Sequence, residues 1–584
     1  MELLKQQILP LVEQAINALG ATDLPVASML QPARELDQGD LTLPCFPFAK
    51  AFKMSPVAIA ESLASSIPEH VSLSDVTAIN GYLNFRVSPQ WLASQLLRGA
   101  MDTTHEVSQR SVLIEHTSAN PNGPFHVGRA RNAILGDTLV RLHRLWGHEV
   151  TAEYYVDDMG KQVAVLAWAL EHLSHSDVES LLRGREASNP TWEGKADHQR
   201  VRWYQAAQKL RQDEEEAPAI EKAIGELVHA SENGDEGVLQ AFEDAYQPVL
   251  DGMLETLGRL GIQFDRFTKE SRFVTNGDVT ALMDELGALE INGVADNGAQ
   301  YLDLGARGLK GKTEFFYRRG DGSSLYATRD IAYHRWKWSM SNELINVLGE
   351  DHKLQAQQVG LTLEELGQER PEVVFYSFIK LPDGKMSTRQ GNVVFMDDLL
   401  EEAKAQAAKV VSELRPDYEQ EIIHQIAEAV GTSAVRFNII NVSPEKGFSF
   451  RWEDALSFES GSAPFIMYSH TRAYSIHRRV SALQSSSVRE DLMIPDELPQ
   501  GLVDLLRILG RHNDCLRKVV HEHRPHLFAE QLLHLANGYN AFYRDCYIID
   551  EGEVNQFFYQ ISELARNVLR KGMVGLGIVP LESM

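Results

Sequence analysis

Apolar positions along the 584-residue chain change their period from region to region. Over residues 1 to about 105 they alternate between helical and strand spacing. M-E-L-L-K-Q-Q-I-L-P-L-V-E-Q-A-I has charges breaking an apolar stripe at helical intervals, so an amphipathic helix is predicted. A second helical pattern covers K-A-F-K-M-S-P-V-A-I-A-E-S-L-A, and I-N-G-Y-L-N-F-R-V reads as strand. From Ser111 short β-type runs take over, V-L-I-E-H, V-T-A-E-Y-Y-V, L-I-N-V-L-G and V-V-F-Y-S-F-I, alternating with helical stretches. That alternation predicts a parallel sheet wound by helices. Residues 170 to 290 are mostly helical and highly charged, with D-E-E-E-A-P at 213 to 218, and read as an insertion into this α/β region. From about residue 412 the chain reads as helical to its end, apart from a serine-rich loop at 485 to 491. The expected organisation is an N-terminal α/β domain (1–105), an α/β domain with a helical insertion (106–411) and an all-α domain (412–584).

Composition narrows the class. The chain is too long for one core. Its formal charge of -26 argues against a uniformly nucleic-acid-binding surface, although a large acidic protein can still carry a basic groove. Cys45, Cys515 and Cys546 are far apart, with no C-x-x-C pair, so reduced thiols in a cytoplasmic protein are expected and no zinc site. The N-terminus has no signal-peptide pattern, and no apolar run approaches the roughly 20 residues that cross a bilayer. Lys50, Lys53 and Arg86 lend the first domain some positive charge. H-T-R-A-Y-S-I-H-R-R (470–479), L-R-K-V-V-H-E-H-R-P-H (516–526) and A-R-N-V-L-R-K (565–571) interleave cations with rings, which suits a nucleic-acid surface, but a helical bundle with snorkelling arginines accounts for the feature without one and is the reading preferred on it alone.

Two loops carry candidate chemistry. S-A-N-P-N-G-P-F-H-V-G (118–128) follows a predicted strand and opens a predicted helix, at the sheet edge where α/β proteins bind ligands. His126 falls at the helix start, where free amides favour an anion, and Gly128 leaves room for a nucleotide. A capping histidine would leave the same trace. The second loop, I-K-L-P-D-G-K-M-S-T-R-Q-G-N (379–392), sets Lys385 and Arg389 between glycines, as a phosphate-gripping loop or a plain surface turn would.

Together the loops resemble the paired signatures of class I aminoacyl-tRNA synthetases. The texts I-E-H-T-S-A-N-P-N-G-P-F-H-V-G, Y-Y-V-D-D-M-G-K-Q, L-Y-A-T-R-D-I-A-Y, V-L-G-E-D-H, G-K-M-S-T-R-Q-G-N-V-V, F-N-I-I-N-V-S-P-E-K-G-F, A-P-F-I-M-Y-S-H-T-R-A and L-G-I-V-P-L-E-S-M resemble, in order, the arginyl-tRNA synthetase family. G-D-L-T-L-P-C-F and G-Y-L-N-F are similar to that family's tRNA-elbow-binding N-terminal domain.

The resemblance implies a Rossmann-type class I catalytic domain and a C-terminal helical domain for tRNA stem and anticodon. It implies ligation of L-arginine to tRNA(Arg) through arginyl-adenylate, with ATP and Mg2+, by a cytoplasmic monomer. By position in the motifs, His126, Gly128, Arg129, Lys385 and Arg389 serve catalysis, with Met386 and Ser387 shaping the ATP-binding loop. Ser118, Asn120, Glu270, Tyr326, Asp330 and His352 are the expected arginine-binding set, because a guanidinium calls for bidentate acceptors and rings. Two departures stand out: Arg129 replaces the usual second histidine of the first signature, and Thr388 the second lysine of the other. The lysine that some members carry before the histidine motif is Gly123 here. They motivate a second reading, a catalytically weak tRNA-binding or regulatory protein; a class I enzyme for another amino acid is a third.

Overall fold

The computed structural model describes the whole chain except residues 21–24, 34–37, 101–109, 184–191, 193, 381–393, 450, 460 and 484–492. The N-terminal unit is a four-stranded antiparallel sheet of β1 (Gln31–Pro32), β2 (Leu41–Pro44), β3 (Leu73–Ile79) and β4 (Tyr82–Val87), in the order β1-β2-β4-β3. Asn80 and Gly81, at φ 51° and 82°, make the tight turn between β3 and β4, as an Asn-Gly pair favours. The predicted second helix is shorter than its pattern. Lys53 adopts φ 53° and stops a short helical turn, and the main helix Pro56–Ser66 starts afresh from Ser55, whose side chain caps it.

The central sheet contains β5 (Ser111–Glu115), β6 (Glu149–Val156) and β7 (Arg266–Lys269), followed in the chain by a small antiparallel sheet of β8 (Asn292–Val294), β9 (Gln300–Asp303) and β10 (Glu314–Arg318). It is completed by β11 (Glu343–Gly349) and β12 (Glu372–Tyr376), in the spatial order β12-β11-β5-β6-β7 with every pairing parallel. The middle strands are apolar runs, Val112 to Ile114 and Leu344 to Val347 being broken only by Asn346, because helices cover both faces. The order reverses between β5 and β11. Adjacent crossovers leave in opposite directions there and open a crevice at the carboxyl ends of the strands.

The span 170–290 is not one helical block. Among the described residues five helices, from Lys161–His172 to Glu236–Arg259, separate β6 from β7, but Arg266–Lys269 then returns to the sheet as an edge strand. Its sequence, R-F-T-K, is too short and polar to stand out from the charged helices around it. The C-terminal region packs the helices Gln420–Ile440, Ala463–Ala482, Gln500–Glu522, Pro525–Asp545 and Gln556–Leu576, with two small strand pairs besides: β13 (Ile379–Lys380) with β14 (Phe448–Ser449), and β15 (Ile549–Asp550) with β16 (Glu553–Val554).

Buried charges tie the units together. Asp40 beside β2 faces Arg507 and Arg511 of helix Gln500–Glu522 at 3.6 and 3.5 Å. Fully buried Arg436 donates to Asp137 Oδ2 at 2.6 Å and to the carbonyls of Leu260 and Leu576 at 2.8 and 3.1 Å. Among the described residues no helix is long and apolar enough to cross a membrane.

Candidate active site at the switch point

The chain leaves β5 through Thr117 and Ser118, at φ 69° and 37°. A β-branched residue in the left-handed region is strained by about 1–2 kcal/mol, and the surroundings hold it there. The Thr117 amide donates to Asn132 Oδ1 at 2.7 Å, and Ser118 Oγ accepts from the Tyr155 amide at 3.1 Å and donates to Glu115 Oε1 at 3.2 Å. The turn thereby brings Ser118, Ala119 and Asn120 into the crevice, a cavity of about 260 Å³. Arg129, Tyr326, Asp330, His352 and Gln355 line the same cavity.

His126 is the N-cap residue of helix Val127–Trp146, but its side chain caps nothing. The chain at 394–396 crosses it in antiparallel fashion: the Val127 amide donates to the Val394 carbonyl at 2.9 Å and the Met396 amide to that of Phe125 at 2.8 Å. The Arg129 amide is also engaged, by the His126 carbonyl. Two of the amides expected to hold an anion are therefore already used, and charge here must come from side chains. Burial, helped by Arg129, lowers His126 to about 4, so the imidazole is neutral at physiological pH. Gly128 proves to serve the histidine first: a Cβ at that position would stand 3.0 Å from His126 Nδ1. Gly136, about two turns further along, lets the helix close on the exit of β5, where a Cβ would lie 2.2 Å from that of His116.

The opposite wall is helix Tyr326–Met340. Tyr326, Asp330, His334 and Lys337 recur at helical spacing on one side of it. Burial alone would push the Asp330 carboxyl up, but His334, Lys337 and Gln355 outweigh it and hold it below the ordinary value. Gln355 Nε2 lies 3.4 Å from Asp330 Oδ2. Asn120 Nδ2 donates to Asp157 Oδ2 and Gln162 Oε1, both at 3.1 Å. His352 is half exposed at the rim beside Asp351.

Glu270 stands apart from this set. It is fully buried and does not line the cavity; one oxygen accepts from Arg329 Nε, and the other has no hydrogen bond. Burial pushes its carboxyl up to about 8 in spite of Arg329. Arg329, a guanidinium of the chain itself, holds this carboxyl, beside Asp157 of the cavity lining. Lys385, Met386, Ser387, Thr388 and Arg389 lie outside the described residues. Their described flanks are β13, paired with β14, and the segment 394–396 against His126.

Sequence reasoning missed Glu115, Asp157, His334, Lys337, Asn346 and Gln355. The 4-4-3 spacing of polar residues after Tyr326 was the available signal for two of them; the others reach the crevice from different elements.

The comparisons agree on one family. A family model described as tRNA synthetases class I (R), catalytic domain, matches residues 92–452; an arginyl tRNA synthetase N terminal domain matches 6–87 and a DALR anticodon binding domain 466–584. The chain is 38% identical over 546 residues to the arginine–tRNA ligase of Methanocella arvoryzae, covering 92% of each. It is 37% identical to that of Archaeoglobus fulgidus, over 98% of this chain and 99% of that one. The arginyl-tRNA synthetase structure from Thermus thermophilus superposes with a TM-score of 0.79 at 26% identity, over 99% and 100% of the two chains.

Proposed function

The chain belongs to the class I arginyl-tRNA synthetase family and charges tRNA with arginine, and we propose that the crevice between β5 and β11 is where this happens, through an arginyl-adenylate. The substrate carboxylate attacks the α-phosphorus of ATP and pyrophosphate leaves. A hydroxyl of the terminal tRNA ribose then attacks the arginyl carbonyl and AMP leaves. No protein atom needs to become covalently attached, so the protein acts by placement and charge.

The observation that carries the reading is a single cavity bounded by Ser118 and Asn120 on the β5 turn and by Tyr326, Asp330 and Gln355 on the facing helices. Asp330, kept ionised, suits a guanidinium, and Ser118 and Asn120 suit the amino and carboxyl groups of arginine. His126 and Gly128 take the nucleotide. With the imidazole neutral, Arg129 supplies the fixed positive charge, and Lys385 and Arg389, with Met386 and Ser387, meet the phosphates. Glu115, Asp330 and Asp157 each already bond a side chain of the protein, so magnesium enters with the triphosphate and not in a protein cage. Glu270 contributes indirectly, by fixing Arg329 behind the pocket. The enzyme works as a cytoplasmic monomer.

Asp330→Asn tests the assignment. It should raise the KM for arginine at least tenfold and leave that for ATP within about twofold. Unaltered arginine kinetics would remove Asp330 from the pocket.

A further inference from the structure

Lys337 lies 0% exposed one layer beneath the crevice and is not part of its lining. Its ammonium donates to Glu115 Oε2 at 2.7 Å, to Asn346 Oδ1 at 3.0 Å and to His334 Nε2 at 3.1 Å, which uses all three protons. Two of these bonds continue to the crevice by separate routes. Through Glu115 the first reaches Ser118, whose hydroxyl donates to Glu115 Oε1 at 3.2 Å. Through His334 the second reaches Asp330. Lys337 has only protons to give, and Asn346, whose Oδ1 accepts from it, turns Nδ2 to His334 Nε2 at 2.7 Å. Nε2 is therefore the acceptor and the ring proton sits on Nδ1, which is 2.8 Å from the Asp330 carbonyl and 3.1 Å from its Oδ1.

We propose that Lys337 is the positioning residue of the amino-acid pocket, setting Ser118 through Glu115 and Asp330 through the His334 tautomer, and so fixing together the groups that hold the two ends of the substrate. The physical reason lies in what each neighbour would otherwise do. A proton on His334 Nε2 would point at an ammonium and an amide N–H, so Nε2 stays the acceptor and the ring N–H is aimed from Nδ1 at Asp330, which fixes that carboxylate for an incoming guanidinium. Glu115 lines the same cavity, but its carboxylate is paired with the buried ammonium and so competes less with Asp330 for that guanidinium. Strength follows from burial: a buried ammonium with three acceptors is bound far more rigidly than an exposed one. The His334 ring also fits edge-to-face against Tyr333, and Lys337 sits 4.3 Å from the centre of that same ring, so packing fixes the pair as well.

This inference rests on the crevice binding arginine, and the experiment separates the two. Steady-state charging is measured for Lys337→Met, His334→Asn and Asp330→Asn, varying arginine and ATP separately, with melting temperatures alongside. Lys337→Met should raise the arginine KM ten- to a hundredfold, with kcat and the ATP KM within about threefold. His334→Asn, at a residue that lines the cavity, removes the Asp330 route and one of the three Lys337 bonds but leaves the Glu115 route, and should raise it less. If Asp330→Asn raises the arginine KM but Lys337→Met and His334→Asn do not, the pocket stands and the positioning role falls. If arginine and ATP parameters worsen together in Lys337→Met, the lysine is only structural. If Lys337→Met does not fold, His334→Asn decides by the same split. If Asp330→Asn leaves arginine binding intact, the pocket assignment itself is overturned.

Discussion

At the scale of single residues the site depends on small side chains making room for larger ones. Gly128 is the clearest case, because the His126 ring occupies the space a methyl group would take. Gly128→Ala should displace that ring by a few tenths of an ångström and lower kcat roughly ten- to a hundredfold, with the melting temperature nearly unchanged, since misplacing a catalytic group is expensive in rate. The pH profile is a second residue-scale check. With His126 lowered to about 4 by burial and Arg129, no activity limb near pH 6.5 should belong to it. If kcat/KM for ATP does titrate near 6.5 in the parent chain and the limb vanishes in His126→Asn, the neutral-imidazole reading is wrong.

Elements are positioned by guanidinium groups that gather carbonyls from distant segments. Arg131, fully buried on the first turns of helix Val127–Trp146, donates to the carbonyls of Ser377, Lys446 and Ser443 at 2.5, 2.7 and 2.8 Å. These carbonyls flank β13 and β14, so one side chain holds the helix carrying His126 to the strand pair that leads into residues 381–393. Arg131→Met leaves three carbonyls unpaired. The expected cost is about 3 kcal/mol or more, each hydrogen bond to a charged group being worth roughly 1.5–3 kcal/mol. Melting should fall by several degrees and kcat should drop more than the arginine KM changes. Equal melting temperatures for the two proteins would show that water replaces the guanidinium without penalty. The Asn80–Gly81 turn and the Ser55 cap, by contrast, are local devices set by neighbouring residues, although the apolar pattern ran a strand and a helix straight through them.

For the whole molecule, stability at low pH is set by buried histidines in different units. Burial lowers His116 and His512 to about 4, and His143 to about 3, the last helped by His523 and His148. Their unfolded values lie near 6.5, so the unfolded chain binds more protons between pH 6.5 and 4. Their contribution is complete above about pH 6.5 and is lost as the pH falls towards 4, by up to about 1.4 kcal/mol per pH unit for each histidine. Melting temperatures should be level from pH 8 to 7 and fall steeply below 6. His512→Leu should make the fall shallower; a curve level down to pH 4.5 would contradict the assignment. The domain junction is equally testable. Gly577 has φ 69°, and a Cβ there would meet the Arg436 guanidinium at 2.3 Å, so Gly577→Ala should destabilise the junction by at least about 3 kcal/mol, read by melting.

Periodicity in the sequence determined the parallel sheet, the N-terminal α/β unit and the helical C-terminal region, since each rests on local spacing of apolar residues. The order of motifs determined the family, and through that resemblance paired Tyr326 with Asp330; that both stand on one helix is a finding of the structure. Tertiary structure alone decided the rest. Strand β7 is polar because it is an edge, so only its pairing with β6 reveals it inside the charged span. The Val127 amide at the start of helix Val127–Trp146 is engaged because a segment some 270 residues later crosses it. Glu270 is held by Arg329 because a buried acid needs a partner, and that pairing is set by the fold and not by sequence spacing. Lys337 reaches Glu115 across 222 residues of sequence and so links it to Asp330, a relation that hydrogen-bond geometry expresses and linear spacing cannot.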